Sequence, residues 1–496
     1  MRSTFTTQAC NLIIFGAKGD LARRKLFPSL YQLEKIGSIH PDTRIIGVGR
    51  AEWSLVMYIE VVYVALKTFM KEPIDESLWY VFRARLDFCN LDVYQTERFV
   101  LLLDKIKKSA ADMVTVNYLA MPPDTFGVIC KGLSTIGLNK KSNRVVIEKP
   151  LGTNLDSARI INAQISEYFE ENQIYRIDHY LGKETVLNLL ALRFANYLFS
   201  SNWDNNTIDH VQITVAEEVG IEGRWGYFDS VGQMRDMIQS HLLQILTIVA
   251  MSPPTNLSAD CIRDEKVKVL HSLRKIDCNN IHDVTVRGQY TSGFIQGKPV
   301  PGYLEEEGAN TSSNTETFVS ICVNIDDWRW IGVPFYLRTG KRLPIKYSEI
   351  VIFFKKPMIN LFPDSYKDLP NNKLTIRLQP DEGIDVQILN KVPGLGHKHR
   401  LHTTKLNLSF YEDFYSEHVV DAYERLLLET MRGIQALFVR CDEIEGAWQW
   451  VDSIIQAWAL EDYAPKLYKA GTWGPTDSMT MIAKDGRFWN DYQFYT

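Results

Sequence analysis

The first 150 residues alternate short apolar runs with longer stretches of helical pattern. "NLIIFG" leads to "LARRKLFPSLYQLEKIG" and "TRIIGVG", and later come "VTVNYLAMPP" and "RVVIEKPLG". A strand with no polar side is covered on both faces, and the strand–helix–strand order joins such strands in parallel, so the pattern predicts a doubly wound sheet. From about residue 205 the period changes to two: "HVQITVAEE" turns Val211, Ile213 and Val215 inward, and "FVSICVNID" does the same with Val319, Ile321, Val323 and Ile325. "LTIRLQPDEGIDVQIL" puts a Pro-Asp-Glu-Gly turn between two alternating segments and reads as a hairpin. The expectation is α/β plus α+β: a parallel-sheet domain at 1–177 and a larger antiparallel-sheet domain at 178–496, with helices such as "MRDMIQSHLLQILTIVAM" and "AYERLLLETMRGIQALF" packed on the second. At 496 residues, more than one core is also what length alone requires.

With 45% hydrophobic and 23% charged residues, the composition is that of a soluble globular protein. The net charge of -5 gives no general attraction to nucleic acid or to an anionic membrane, so a phosphorylated ligand must be met by a local cluster of cations. Seven scattered cysteines without a CxxC pair read as reduced thiols of a cytosolic protein. The N-terminal residues run into a five-residue apolar segment rather than a signal-peptide core. "WSLVMYIEVVYVALKTFM", 53–70, is interrupted by Glu60 and Lys67, and reads as a buried core helix rather than a membrane span.

Gly16 and Gly19 lie between the first strand and its helix, where a backbone without side chains lets a pyrophosphate approach the helix N-terminus. The next strand ends in Arg50, where a site selective for NAD carries an acid, and this favours NADP, with Glu52 nearby leaving NAD use open. "YRIDHYLGKE" opens a second site. Asp178 suits a helix cap, while His179 and Lys183, four apart, would share a helix face with Tyr180 beside them and suit an anion; spacing permits both readings. His241 sits on an apolar helix, where a satisfied structural histidine is the alternative to a general base, a role for which an imidazole is suited. Asp236, five positions earlier, lies about 140° away at the α-helical period, so the two are not simply stacked. Lys149 follows a parallel strand, a usual ligand position. Lys341 and Lys346 flank a turn, where plain surface charge is the alternative, and "GHKHRLH" (His397, His399, His402) lacks the carboxylates or cysteines that would make it a metal site.

Taken in order, "FGAKGDLARRK", "EKPLG", "RIDHYLGKE", "GYFDSVGQMRDMIQSHLLQ" and "YLRTGK" resemble the glucose-6-phosphate dehydrogenase family from residue 12 onward, in a form close to that of enteric-type bacteria. The resemblance implies a Rossmann-like first domain and oxidation of D-glucose 6-phosphate to 6-phosphoglucono-1,5-lactone, with NADP as acceptor and no metal. It implies His241 as general base and Asp178 as the acid that orients it. His179, Tyr180 and Lys183 would hold the phosphate, Glu217 and Asp236 the sugar hydroxyls, and Lys341 and Lys346 the substrate. Lys149 would touch both substrate and cofactor, and Gly16, Gly19, Asp20, Leu21, Arg50 and Tyr118 would bind the cofactor. A homodimer or homotetramer built through the second domain, in the cytoplasm, is implied as well. Two departures stand out: Lys346 replaces an arginine found in some relatives, and Ser240 replaces the asparagine that usually precedes the base. A non-catalytic sugar-phosphate sensor and a dehydrogenase for another hexose phosphate are the alternatives.

Overall fold

The computed structural model describes residues 8–106, 113–394, 400–409 and 420–491. The chain forms two compact units: Met1–Gly182 with Pro254–Asp264 and Val420–Glu445, and Lys183–Pro253 with Glu265–Val419 and Gly446–Thr496. A reading along the sequence places one break, between 177 and 178. In the structure two later segments also belong with the first unit.

The first unit is built on β1 (Cys10–Phe15), β2 (Arg44–Gly49), β3 (Leu86–Asn90), β4 (Val114–Leu119), β5 (Arg144–Ile147) and β6 (Ile174–Arg176). All pairings are parallel, in the order β3-β2-β1-β4-β5-β6. Successive side chains of β1 enter different cores: Leu12 and Ile14 pack with Phe27 and Leu30 on one face, and Ile13 and Phe15 with Phe99 and Phe126 on the other. Each such side chain contributes roughly 1.5–3 kcal/mol on burial, which is why Leu12 to Phe15 are all apolar. Helix Leu55–Phe69 begins at Ser54, whose hydroxyl accepts the Met57 N–H at 3.3 Å. It buries Tyr58, Val62, Ala65 and Leu66 but leaves Val56, Met57 and Val64 exposed, so it is a one-sided surface helix and not the fully buried helix its apolar run suggests. No described helix is long and apolar enough to cross a membrane.

Helix Ala422–Arg432 belongs to this unit because Tyr423, Leu426, Leu427 and Met431 complete one of its cores. Arginines fasten the returning segments: Arg144 donates to the carbonyls of Thr430 and Met431 at 2.6 and 2.8 Å, and buried Arg263 to those of Phe438 and Gln435 at 3.1 and 2.8 Å.

The second unit contains β7 (Ile208–Ala216), β8 (Thr285–Thr291), a small hairpin β9 (Gly293–Ile295) and β10 (Lys298–Val300), then β11 (Phe318–Val323), β12 (Phe335–Gly340), β13 (Tyr347–Phe354), β14 (Lys373–Gln379), β15 (Gly383–Lys391), β16 (Leu401–Ser409) and β17 (Lys466–Lys469). Nine of these form one sheet, β16-β15-β14-β13-β7-β12-β11-β8-β17, antiparallel except for β7 with β12 and β8 with β17. The expected hairpin is β14–β15. The period-two strands were expected to bury one face, yet His210, Gln212, Thr214 and Arg338 on the polar side are buried too. Residues 488–491 lie over them: Gln212 donates to the Phe488 carbonyl at 2.8 Å and accepts the Asn490 N–H at 2.9 Å, while Arg338 pairs with Asp491 and sits against Trp473 and Trp489. Alternation distinguished apolar from polar side chains; it did not distinguish buried from exposed ones.

Candidate active site

In the order β3-β2-β1-β4-β5-β6 the chain reverses direction across the sheet between β1 and β4, and ligands of such sheets lie beyond the strand ends at that point. Gly16 ends β1 with φ +82°, and a Cβ there would stand 2.3 Å from the Ala120 carbonyl oxygen. The N–H groups of Gly16 and Ala17 donate to Val48 O at 3.1 and 3.2 Å, and Gly19 N–H to Gly16 O at 2.8 Å. A cleft of about 490 Å³ opens here, lined by Gly16, Lys18, Arg50, Asp92, Tyr94 and Thr125 among others. Its bare glycine turn, the helix start and two cations fit the phosphates of a dinucleotide.

Asp20 and Leu21 begin the helix, where the Asp20 carboxylate meets Arg24 at 2.6 Å in solvent and Leu21 packs against the core. Asp92 and Tyr94 were not singled out in the sequence, although they follow the parallel strand β3 as Arg50 follows β2. Tyr118, expected to bind the cofactor, lies within β4. It is fully buried in the core that includes Tyr423, is absent from the cleft lining, and donates its hydroxyl to Glu148 Oε1 at 2.5 Å.

Beyond β5 and β6 come Glu148–Lys149 and Asp178–His179–Tyr180. The Asp178 carboxylate accepts the Tyr180 N–H at 3.0 Å and so caps a short turn over 179–182. The His179 ring stacks on that of Tyr423, centroids 6.1 Å apart and planes 17° apart, with Tyr180 tilted beside it at 5.0 Å. Burial pushes the Glu148 carboxyl up to about 7, against the lowering effect of its hydrogen bond with Tyr118 and of nearby Lys149.

Lys183 does not continue that turn. Its backbone is extended, at φ −71° and ψ 138°, and the helix proper is Glu184–Ala195. His179 and Lys183 therefore do not share a helix face, as their spacing suggested, because the four-residue turn and the helix are separate pieces. Lys183 is buried, with its ammonium 3.4 Å from the Leu378 carbonyl, and Glu382 accepts from the N–H and hydroxyl of Thr185 at 3.4 and 3.3 Å.

In the second unit the parallel pair β7–β12 ends in Glu217 and Lys341, which meet as an ion pair at 2.9 Å. Lys341 is fixed by Thr317 O accepting its N–H at 2.9 Å and by the Tyr468 hydroxyl donating to its carbonyl at 2.6 Å. Lys346 is exposed just before β13, whose first residue pairs with Ala216, so it stands at the same end of the sheet. Residues Met234–Leu242, carrying Asp236 and buried His241, are wound as a π-helix. Its i→i+5 hydrogen bonding brings residues five apart toward one face, so the separation calculated for an α-helix does not apply to Asp236 and His241. Ser240 turns back and donates to the Asp236 carbonyl at 2.8 Å. His402 is exposed on β16; His397 and His399 lie outside the described residues.

Two family models cover the chain: the glucose-6-phosphate dehydrogenase NAD binding domain matches residues 13–188 and the glucose-6-phosphate dehydrogenase C-terminal domain residues 190–490. The chain is 71% identical over 493 residues to a glucose-6-phosphate 1-dehydrogenase of Dickeya dadantii, covering 99% of this chain and 100% of that one. It is 48% identical to the enzyme of that name from Rhizobium meliloti, covering 97% of each. A solved structure of a glucose-6-phosphate dehydrogenase in complex with its substrate glucose-6-phosphate superposes with a TM-score of 0.89 at 34% identity, over 98% of this chain and 99% of that one. With both models matched in order along nearly its whole length, this chain belongs to the glucose-6-phosphate dehydrogenase family.

Proposed function

We propose that the chain is an NADP-dependent glucose-6-phosphate 1-dehydrogenase, oxidising D-glucose 6-phosphate to 6-phospho-D-glucono-1,5-lactone, the first step of the oxidative pentose phosphate pathway. The observation that carries this is the 71% identity to a named enzyme across both full lengths. NADP+, when bound, supplies the hydride acceptor, and the cleft at Gly16, Gly19 and Arg50 is the place proposed for it, with the backbone of Asp20 and Leu21 at the helix start.

His241 is the proposed general base, taking the proton of the C1 hydroxyl, and Asp178 the carboxylate that stabilises the imidazolium. His179, Tyr180 and Lys183 hold the 6-phosphate, which orients C1, an effect that contributes about 7–11 kcal/mol in favourable cases. Lys149 serves substrate and cofactor. Glu217, Asp236, Lys341 and Lys346 receive the rest of the sugar phosphate. The Glu217–Lys341 pair supports this: a hydroxyl entering between the two finds an acceptor and a donor already neutralising each other. A cytoplasmic setting is supported by seven free cysteines. Assembly as a homodimer or homotetramer is supported by edge strand β16, which exposes Leu406 and Leu408.

Steady-state NADPH formation with glucose 6-phosphate tests the reading, alongside NAD and other hexose phosphates. Absence of turnover in folded protein points to a sugar-phosphate sensor, and a higher kcat/KM for another hexose phosphate reassigns the substrate. His241→Asn is expected to lower kcat by about 10²–10⁴-fold with binding retained; near-normal turnover removes the histidine from the role of base.

A further inference from the structure

Arg342 directly follows Lys341, and the proposed chemistry gives it no part. Its φ is +52°, in the left-handed region that residues with a side chain seldom adopt, and that of Glu222 is +47°. A Cβ on Gly220 would stand 2.6 Å from Arg342 Nε and 2.8 Å from its Cζ, so the guanidinium occupies the place a side chain would take there. It meets two carboxylates, with Nη1 3.5 Å from Glu222 Oε1 and Nη2 3.5 Å from Glu306 Oε1. Each acid is held by a second group: the Gly220 N–H donates to Glu222 Oε1 at 3.2 Å, and the Tyr290 hydroxyl to Glu306 Oε1 at 2.5 Å. The backbones are joined as well, Arg342 N–H donating to Val219 O at 3.1 Å and Leu343 N–H to Glu217 O at 3.0 Å.

The segment after β7 carries three carboxylates, and each has its own partner: Glu217 meets Lys341 at 2.9 Å, Glu218 accepts from Gln296 at 2.7 Å, and Glu222 faces Arg342. An ammonium attracts every carboxylate near it, and that attraction weakens only with the first power of distance. Lys341 stays with Glu217 because the neighbouring acids are otherwise engaged, and the forked donors of a guanidinium can engage two at once. As a source of stability the arrangement is poor. The Arg342 side chain is only 13% exposed, both ion pairs are long, and among the described residues its Nε–H finds no acceptor. Its backbone is strained besides. What the arrangement secures is direction: the chain turns immediately after Lys341, and Lys341 is left one carboxylate.

We propose that Arg342 is a positioning residue for the Glu217–Lys341 pair: seated over Gly220 between Glu222 and Glu306, it draws off the competing carboxylates and fixes the turn that presents the Lys341 ammonium to the sugar phosphate. This rests on the function proposed above and concerns how two of its groups are aimed. Arg342 acts through Lys341 and Glu217.

The test uses the full chain carrying Arg342→Gly, which removes the guanidinium but accepts the left-handed backbone, or Arg342→Lys, which keeps the charge and loses the fork. The expected result in Arg342→Gly is a KM for glucose 6-phosphate raised about tenfold, equivalent to ~1.4 kcal/mol, with a smaller rise in Arg342→Lys. The expected kcat stays within a few-fold of wild type, and KM for NADP is unchanged. In protein labelled with 13C at lysine Cε, the Lys341 signal, assigned by its loss in Lys341→Arg, shifts in Arg342→Gly. An unchanged KM with an unchanged Lys341 signal overturns the proposal. So does a fall of kcat together with a rise of both KM values and a lowered Tm, which would mark a merely structural arginine. If Arg342→Gly does not fold, the same KM values and the same signal in Arg342→Lys decide. Should wild-type protein turn over no sugar phosphate, the function reading fails by itself, and the Lys341 signal in the two variants still decides the positioning role.

Discussion

Burial moves the Glu148 carboxyl from 4.5 to about 7, in surroundings made of Tyr118, Tyr423 and Lys149. Between those values the folded chain carries a proton on this group that the unfolded chain has released. This contribution to stability is complete below about pH 4.5 and is lost as the pH rises through about 7. Urea unfolding of wild type and Glu148→Gln across that window should show the difference between them changing in this direction; a pH-independent difference would place the group's titration elsewhere. Single residues also show how far a sequence speaks for itself. Gly16, Arg50, Lys149, Glu217 and Lys341 are legible because each follows a strand, and strand ends are where such sheets meet their ligands. Tyr118 was not, since it lies within β4, and only the fold shows that its side of the strand is the one packed against Tyr423.

The element that carries His241 depends on how it is started. Gly232, at φ +70°, leaves no room for a side chain, since a Cβ would stand 2.5 Å from Glu316 Oε1. The same Glu316 accepts the Met234 N–H at 3.1 Å on its carboxylate and the Gln233 N–H at 2.9 Å on its carbonyl, and pairs with Arg287 at 3.2 Å. Glu316→Ala removes a buried acceptor from the first turn and leaves donors unmatched, so a loss of about 1–3 kcal/mol is expected, read as a lower urea midpoint. Because the loosened element holds His241, kcat should fall with it; full stability and full kcat together would show that the helix start is fixed by other contacts. Helix and strand types followed from periodicity at this scale. The π-winding over 234–242 did not, because one inserted residue's worth of slack leaves no mark on an apolar pattern.

For the molecule as a whole, the second sheet is stable only with both faces covered, and residues 488–491 cover its polar side. Trp489 is buried against Val286, Tyr336, Met481 and Ile482, and backs the Arg338 guanidinium at 4.2 Å. Trp489→Ala is expected to cost about 3–5 kcal/mol, and to do more than open a cavity, since Arg338 loses one of its aromatic walls. A Tm within a degree or two of wild type would show that the segment is dispensable. The sequence by itself determined the two kinds of sheet, the glycine turn, the family and the identity of the chemical groups, because local period and motif order are properties of neighbouring residues. Tertiary structure alone decided that 254–264 and 420–445 return to the first unit, that His179 rests on Tyr423, that Glu217 meets Lys341, and that a row of polar side chains is buried. The physical reason is distance along the chain: each of these contacts joins residues whose attraction exists only after the backbone has brought them together, and no local pattern records it.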